Sequence, residues 1–261
     1  MKTPLIQKTV LVTGAAQGLG REICLQLAAK NWRTLVADLN PDAGQQCAAE
    51  CRQLGPDSVF LLADVGTAEG PARMVDEAVR HFGRLDVLIN CAAYATAEAF
   101  IDMSAHSWEL SMLVNVRGIA LATAAAARQM IPQGGGRIIN ITSPASRMAL
   151  PNYAAYAASK AAVDSLTRSS AVALAGKNIQ VNSVAPGMMD TPMQAKTEAA
   201  LAVLEGQTDL NAFLAARTAR IPMGRRTTCQ EVAEAVVWLA AEAPDYVTAE
   251  RMNISGGLDK D

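Results

Sequence analysis

Short apolar runs alternate with longer amphipathic stretches along most of the chain. Six runs are almost continuously apolar and indicate buried strands, at 9–13, 34–37, 59–62, 87–90, 137–142 and 179–184. Helical periodicity fills the intervals between them, at 18–30, 41–54, 70–82, 107–130 and 153–175. Strands that alternate with helices predict right-handed β-α-β units, and therefore an α/β fold with a doubly wound parallel sheet.

The C-terminal part resumes this pattern after one interruption. Thr228 and Glu231 form a capping-box pattern that opens a helix through residue 241, and a last strand is predicted at 249–254. Residues 188–228 fit the alternation least, because they mix methionine, proline and charged residues. They are predicted to form a small helical insertion that either covers a ligand crevice or contacts another subunit.

Composition indicates one domain over residues 1–261, since no repeat or linker divides the chain. Apolar residues make up 51% of it, and a net charge of −2 lacks the basic surplus of a nucleic-acid-binding protein. The longest apolar stretch, 119–127, is shorter than the ~20 residues of a membrane span, and the N-terminal pattern is unlike a secretory signal. A cytoplasmic protein without nucleic-acid or membrane partners is expected.

The sequence lacks suitable residues for a metal site or for the active site of a hydrolase. The five cysteines include one helical pair, Cys47 and Cys51, and the histidines are only His81 and His106. In a reducing compartment, a packed helix face is the better interpretation of the cysteine pair. Zinc enzymes need three or four ligands around the metal. No metal site is predicted, and a Ser-His-Asp triad is disfavoured.

A glycine-rich turn, TGAAQGLG at 13–20, directly follows the first strand and opens the first helix. Gly14 permits a tight turn, and Gly18 permits close approach of the backbone to a pyrophosphate. The helix start, which includes Leu19 and Gly20, presents free N–H groups and the positive end of the helix dipole to phosphate. Strand, turn and helix together predict a dinucleotide site.

Asp38 ends the second strand, eighteen residues beyond Gly20. Its carboxylate can accept hydrogen bonds from both ribose hydroxyls of an adenosine and would repel a 2′-phosphate. Gln17 is neutral where a basic residue could reach a phosphate, and Arg33 starts the same strand about 16 Å away. NAD is therefore predicted rather than NADP; the alternative is that Asp38 is a solvated turn residue.

Tyr156 and Lys160 are four residues apart on a predicted helix, so their side chains face the same way. Tyrosine ordinarily ionises near pH 10, and an adjacent ammonium or an oxidised nicotinamide favours the phenolate. Ser143 follows the strand 137–142 and can steady a substrate oxygen that develops negative charge. Asn115, inside the predicted long helix, can either hold a water or distort the helix.

These residues resemble the short-chain dehydrogenase/reductase family over essentially the whole chain. The resemblance rests on TGxxxGxG at 13–20, Asp64-Val65, Asn90, Asn115, Ser143, Tyr156-x-x-x-Lys160 and Pro186-Gly187. It implies a Rossmann fold and hydride transfer to or from a nicotinamide cofactor. The chain departs from the family's Asn-Asn-Ala-Gly, which is Asn90-Cys91-Ala92-Ala93 here. A methyl group at Ala93 is tolerable if its φ is negative, so modest effects on cofactor affinity are expected.

The resemblance also implies a role for each matching residue. Tyr156 would be the general acid/base, Lys160 would bind the nicotinamide ribose and lower the phenol pKa, and Asn115 would hold a relay water. Asp64 and Val65 would contact adenine. Expected cofactor contacts are Gly14, Gln17, Gly18, Leu19, Gly20, Asp38, Asp64, Val65, Asn90, Tyr156, Lys160, Met189 and Thr191. Expected substrate contacts are Ser143, Tyr153, Tyr156 and Met188. A homodimer or homotetramer built through the long helices is implied as well.

Three functions compete on this basis. The first is an NAD-dependent dehydrogenase of a small polyol or sugar derivative, since the segment DYVTAERMNISGG looks similar to bacterial polyol dehydrogenases of the family. The second is a 3-oxoacyl-thioester reductase, which Gln17 and Asp38 disfavour. The third is a non-catalytic dinucleotide sensor, which the presence of Ser143, Tyr156 and Lys160 disfavours.

Overall fold

The computed structural model describes residues 7–259, and one parallel sheet forms its centre. Its strands are β1 (Thr9–Thr13), β2 (Arg33–Asp38), β3 (Ser58–Leu62), β4 (Val87–Asn90), β5 (Gly136–Ile141), β6 (Ile179–Pro186) and β7 (Arg251–Ile254). They are ordered β3-β2-β1-β4-β5-β6-β7, and every pair is parallel. The predicted doubly wound sheet is confirmed.

Helices cover both faces of the sheet. Within the described range they are α1 (Gly18–Ala29), α2 (Pro41–Leu54), α3 (Gly70–Phe82), α4 (Ala105–Met112), α5 (Ile119–Gln133), α6 (Ala154–Ala175), α7 (Pro192–Leu204), α8 (Leu210–Ala219) and α9 (Cys229–Ala241). Alternate residues of β1 pack against the helices on the two opposite faces of the sheet. Val10 and Val12 join the core under α1 and α9, whereas Leu11 joins the core under α3 and α5.

The order of the strands determines where a ligand can bind. β1 lies between β2 and β4, so the chain leaves its carboxyl end toward one side of the sheet and that of β4 toward the other. In open α/β sheets, the loops diverge at such a point and leave a crevice outside the strands' carboxyl ends. The glycine-rich turn after β1 and the loop after β4 border this crevice.

The predicted helix 107–130 is in fact three segments. α4 and α5 are joined by a π-helical segment, Leu113–Gly118. A Cβ on Gly118 would lie 2.7 Å from the backbone oxygen of Val65, so the segment passes close to the loop after β3. The predicted stretch is thus helical but not one regular α-helix, and its distortion lies at the segment that contains Asn115, where the sequence left a distortion open.

The stretch Ala105–Gln133 is long and apolar enough to cross a membrane by length and composition alone. Half of its most apolar window is buried inside the fold, as in the core helix of a globular protein. Its α5 part packs against α3 and contributes Ala122, Ala126 and Met130 to the core.

The insertion forms α7 and α8. Thr191 caps α7 by accepting a hydrogen bond from the backbone N–H of Gln194, and Asp209 caps α8 in the same way. Glu198 of α7, which is 2% exposed, binds Arg217 of α8 at 3.0 Å and Arg226 at 2.9 Å. This ion-pair group ties the two helices to the segment before α9.

Cys47 and Cys51 lie on a packed helix face, where Cys24 of α1 meets them. Hydrogen bonds between the thiols, together with burial, raise the pKa of both Cys47 and Cys51, so these thiols stay neutral. Among residues 7–259, no group of three or more His, Cys, Asp and Glu side chains could hold a metal ion.

Candidate active site

A cavity of about 460 Å³ lies at the carboxyl ends of the strands. It brings together most of the residues that the sequence singled out. Those that line it are Gly14, Gln17, Gly18, Leu19, Gly20, Asp38, Asp64, Val65, Ser143, Tyr153, Tyr156, Lys160, Met188, Met189 and Thr191. Asn90 and Asn115 do not line it and are described separately below.

The glycine-rich turn packs so closely against neighbouring backbone that side chains at two of its positions would clash. Gly14 has a φ of +64°, and a Cβ on it would lie 2.7 Å from the Cα of Ala92. A Cβ on Gly20 would lie 2.2 Å from the backbone oxygen of Gly14. Gln17, the residue before α1, makes no side-chain cap hydrogen bond, so the first N–H groups of α1 remain available. This geometry fits a dinucleotide pyrophosphate.

Asp38 is held in place at the end of β2. One carboxylate oxygen accepts the backbone N–H of Ala16 and the other accepts that of Asn40, each at 2.9 Å. Each oxygen keeps a lone pair, so the carboxylate can still accept hydrogen bonds from a ribose diol. Arg33, at the opposite end of β2, donates to Gln7 and to the backbone oxygen of Phe82. This end of the cavity therefore fits the adenosine ribose of a nicotinamide dinucleotide.

Asn90 is buried under the loop instead of lining the cavity. Its side-chain amide donates to the side-chain oxygen of Asn140 at 2.8 Å, and Asn140 donates to Thr167 at 2.9 Å. Asn90 thus joins the ends of β4 and β5, and its contact with the cofactor remains a prediction.

The two departures from the family pattern both lie on the cavity wall. Ala93 is not among the residues with a positive φ, so its methyl group causes no backbone strain. Burial raises the pKa of Cys91 to about 12, against the opposing charge of Lys160. Cys91 is therefore a neutral thiol at neutral pH and not a nucleophile.

Ser143, Tyr156 and Lys160 meet at one part of the cavity. The Ser143 hydroxyl hydrogen-bonds the Tyr156 phenol. Lys160 is 1% exposed, its Nζ lies 5.6 Å from the centre of the Tyr156 ring, and it donates to the backbone oxygen of Ile141 at 2.7 Å. The arrangement places a hydroxyl, a phenol and an ammonium beside the space for a substrate oxygen.

The pKa of Tyr156 differs from the expectation drawn from the sequence. Burial raises it, and the hydrogen bond from Ser143 opposes the rise without cancelling it. Lys160 directs its ammonium to the Ile141 oxygen, and burial lowers the pKa of Lys160 itself to about 8. The expected low phenol pKa is therefore not produced by the protein's own groups.

Asn115 lies in the π-helical segment and is fully buried. Its side-chain oxygen accepts the Tyr94 N–H at 2.7 Å, and its amide donates to the Tyr94 oxygen and to Ser159 at 2.8 and 2.9 Å. Ser159 in turn donates to the backbone oxygen of Tyr156 at 2.7 Å. The local distortion of the helix is present, whereas a relay water at Asn115 remains a prediction.

A buried ionic group behind Ser143 escaped the sequence analysis. Arg251 of β7 donates to the backbone oxygen of Ser143 at 3.1 Å and pairs with Asp259 at 2.6 Å and Asp164 at 3.4 Å. Ser146 donates to Asp164 at 2.5 Å. No local sequence pattern predicts this ionic group, because its members are up to 108 residues apart. It fixes the backbone that carries the Ser143 hydroxyl.

The insertion also contributes residues that the sequence analysis did not single out. Met193, Thr197, Arg217 and Arg220 line the cavity, and so does Leu258 near the C-terminus. Arg147, in the loop after β5, is exposed and does not line it. The insertion thus forms part of the cavity wall.

Comparison with known proteins agrees with this geometry. A family model described as short chain dehydrogenase matches residues 8–202. Cis-4-hydroxycyclohexanecarboxylate dehydrogenase of Sinomonas cyclohexanicum is 33% identical over 252 residues, which cover 96% of each protein.

Solved structures superpose on nearly the entire chain. NAD⁺-bound xylitol dehydrogenase has a TM-score of 0.92 and 31% identity, covering 97% of this chain and 100% of that one. A variant of actinorhodin polyketide ketoreductase with NADPH has a TM-score of 0.93 and 30% identity, covering 98% of each chain. The sheet, the motifs and the matched family model together show that this chain belongs to the short-chain dehydrogenase family.

Proposed function

We propose that the protein is an NAD-dependent dehydrogenase that interconverts a secondary alcohol and a ketone. The observation that carries the proposal is the meeting of Ser143, Tyr156 and Lys160 in the same cavity as the glycine-rich turn and Asp38. An oxidoreductase of alcohols and ketones is the activity class of the family.

The proposed chemistry divides the work between two residues. During oxidation, Ser143 donates a hydrogen bond to the substrate oxygen, and the phenolate form of Tyr156 accepts the hydroxyl proton. The positive charge of an oxidised nicotinamide would favour this phenolate, against the effect of burial. When bound, the nicotinamide would supply the acceptor for the hydride that the carbinol carbon loses as it becomes a ketone carbon. Lys160 is proposed to bind the nicotinamide ribose, and Asp64, Val65, Asn90, Met189 and Thr191 to complete the cofactor contacts.

NAD should be preferred to NADP by at least about tenfold in kcat/KM, equivalent to ~1.4 kcal/mol. The reason is that the Asp38 carboxylate can pair with a ribose diol and would repel a 2′-phosphate. Initial rates with each coenzyme can be followed by the absorbance of NADH or NADPH over a panel of polyols, cyclic alcohols and hydroxy acids. These rates test both the dehydrogenase activity and the coenzyme preference. Asp38→Ala should lower the ratio of kcat/KM with NAD to kcat/KM with NADP. Equal use of both coenzymes by the unmodified protein would contradict NAD specificity.

Reduction of a 3-oxo thioester or a related polyketide carbonyl is a second candidate. The likeness to a ketoreductase with NADPH favours it. Gln17 and Asp38 speak against it, because neither would attract the 2′-phosphate of NADPH. Faster reduction of a 3-oxoacyl thioester with NADPH than oxidation of any alcohol with NAD would favour this candidate.

The substrate expectation from the sequence is a small polyol or sugar derivative, and the likeness to xylitol dehydrogenase supports it. We also propose a cytoplasmic location, which matches the free thiols of the five cysteines.

We further propose a homodimer or homotetramer built on α4, α5 and α6. Small side chains on the outer face of α6, such as Ala161, Ser165 and Ser169, are exposed, and Val172 is 78% exposed. Such a face permits close helix packing between subunits. Sedimentation at micromolar concentration should show a species of at least twice the 27.4 kDa chain mass. A single 27 kDa species would refute the proposal.

A further inference from the structure

Apart from the proposed cofactor contacts, the cavity that contains Ser143 and Tyr156 has a mainly apolar wall. Its apolar side chains come from the loop after β5, the insertion and the C-terminal segment, and are Met148, Leu150, Tyr153, Met188, Met193 and Leu258. Such a wall stabilises an apolar substrate body and leaves a hydroxyl group on that body without a hydrogen-bond partner.

Polar side chains at this end are already occupied by the protein. Tyr153 donates to the backbone oxygen of Thr197 at 3.4 Å, and the Thr197 hydroxyl bonds to backbone oxygens of α7 at 3.0 and 3.1 Å. Gln194 hydrogen-bonds Glu198. The additional hydroxyl groups of a polyol would therefore meet few side chains able to recognise them.

The charged residues at this end are both arginines. Among the described lining residues, Asp38, Asp64 and Lys160 belong to the proposed cofactor contacts, which leaves Arg217 and Arg220. Burial raises the pKa of Tyr153, and the nearby charge of Arg217 opposes the rise. Arg217 therefore lies near Tyr153 of this wall, and Tyr153 in turn acts on the pKa of Tyr156.

Arg217 is held so that part of its guanidinium remains available. Its Nε donates to Glu198 at 3.0 Å, and its Cζ lies 5.6 Å from the centre of the Phe213 ring. Its two terminal amino groups have no hydrogen-bond partner within residues 7–259. Glu198 is shared with Arg226, which also pairs with the exposed Asp190 at 3.1 Å, so Glu198 leaves the terminal amino groups of Arg217 uncovered. A pair of guanidinium N–H groups matches a carboxylate in geometry and charge.

We propose that the substrate is a hydroxy acid whose apolar body separates the reacting carbon from a carboxylate bound by Arg217 and Arg220. The inference rests on the proposed dehydrogenase function and replaces the polyol expected from the sequence with a different substrate class. The carbinol hydride passes to NAD⁺, the hydroxyl proton passes to Tyr156, and the products are a keto acid, NADH and a proton released to solvent. The carboxylate takes no part in the bond changes and serves binding alone.

Cis-4-hydroxycyclohexanecarboxylate and cyclohexanol form a matched pair of probes, because they differ only by the carboxylate. With NAD, kcat/KM for the acid should exceed that for the alcohol and that for xylitol by at least about tenfold, the range of one charge-assisted hydrogen bond. Arg217→Met should lower the ratio of kcat/KM for the acid to kcat/KM for cyclohexanol at least about tenfold. Arg220→Met should lower this ratio less, and Arg217→Lys should keep part of the preference for the acid. Arg128→Met, an exposed arginine of α5 outside the cavity, should leave the ratio unchanged. Xylitol as the best substrate, or an unaltered ratio in both arginine-to-methionine variants, would overturn the inference.

A binding measurement separates this inference from the proposed reaction. In titration calorimetry with saturating NAD, cyclohexanecarboxylate should bind at least about tenfold more tightly than cyclohexanol, and Arg220→Met, at an exposed position, should reduce the difference. If no alcohol is oxidised but the carboxylate binds in this arginine-dependent way, the substrate class stands and the dehydrogenase proposal fails. Equal binding of acid and alcohol would overturn the substrate class.

Discussion

Replacing Tyr156 with phenylalanine should slow alcohol oxidation at least about 10²-fold, the lower range of a general acid/base contribution. The ring would keep its place in the wall, but the phenol that accepts the substrate proton would be lost. Steady-state rates of the Tyr156→Phe variant and of the unmodified protein, at saturating NAD, measure the effect.

NAD affinity should survive this change, because the glycine-rich turn and Asp38 are untouched. Tyr153→Phe is the matched control: it also removes one phenol oxygen from the cavity wall, but that oxygen is bonded to the Thr197 backbone. A Tyr156→Phe variant that oxidises substrate at more than a tenth of the unmodified rate would exclude the proposed proton path.

Replacing Lys160 with methionine should weaken NAD binding and turnover but stabilise the free protein. Burial lowers the pKa of Lys160 from 10.5 to about 8, so the unfolded chain binds this proton more tightly than the folded one. The charged lysine therefore costs about 3 kcal/mol of folding free energy below pH 8, and this cost disappears as pH rises toward 10.5. In the methionine variant, loss of the hydrogen bond from Lys160 to the Ile141 oxygen should offset about 1 kcal/mol of the stability gained.

The free energy of unfolding of Lys160→Met should accordingly exceed that of the unmodified protein by about 2 kcal/mol at pH 7, and the difference should vanish near pH 10. Denaturant unfolding without coenzyme, at equal protein concentration and at both pH values, measures it. Lys177→Met, at an exposed position, should show neither effect. A variant that is destabilised equally at both pH values would contradict the assigned burial cost.

The elements with strong local signals could be predicted closely. α2 begins at Pro41 because Asn40 accepts the N–H of Ala43, and α3 ends before Gly83, whose φ is +77°. Both signals lie within the sequence of the helix itself. The glycine-rich turn and the pair of Tyr156 and Lys160 are equally local, which is why the sequence placed them in one site.

Features that depend on distant contacts could not be predicted. The bonds from Asn115 to the Tyr94 backbone span 21 residues and accompany a change of helix type. The pKa of Tyr156 depends on how deeply the fold buries it, which outweighs the lysine four residues along the helix. The position of Arg217 in the cavity depends on a wall that α6, α7 and α8 form together, and no short sequence pattern predicts that wall.

The π-helical segment constrains how the length of this chain can vary. A π turn contains one more residue than an α turn, so deleting one residue between 113 and 118 would restore regular α-helical bonding. Such a deletion would leave α4 and α5 in nearly their present relative rotation, because the π segment accommodates a residue that would turn a regular α-helix by about 100°. Ser107 and Ser111 of α4 would therefore stay buried. The position that would change is that of Asn115, so the extra residue serves the contact of its side chain with the Tyr94 backbone and not the packing of the two helices.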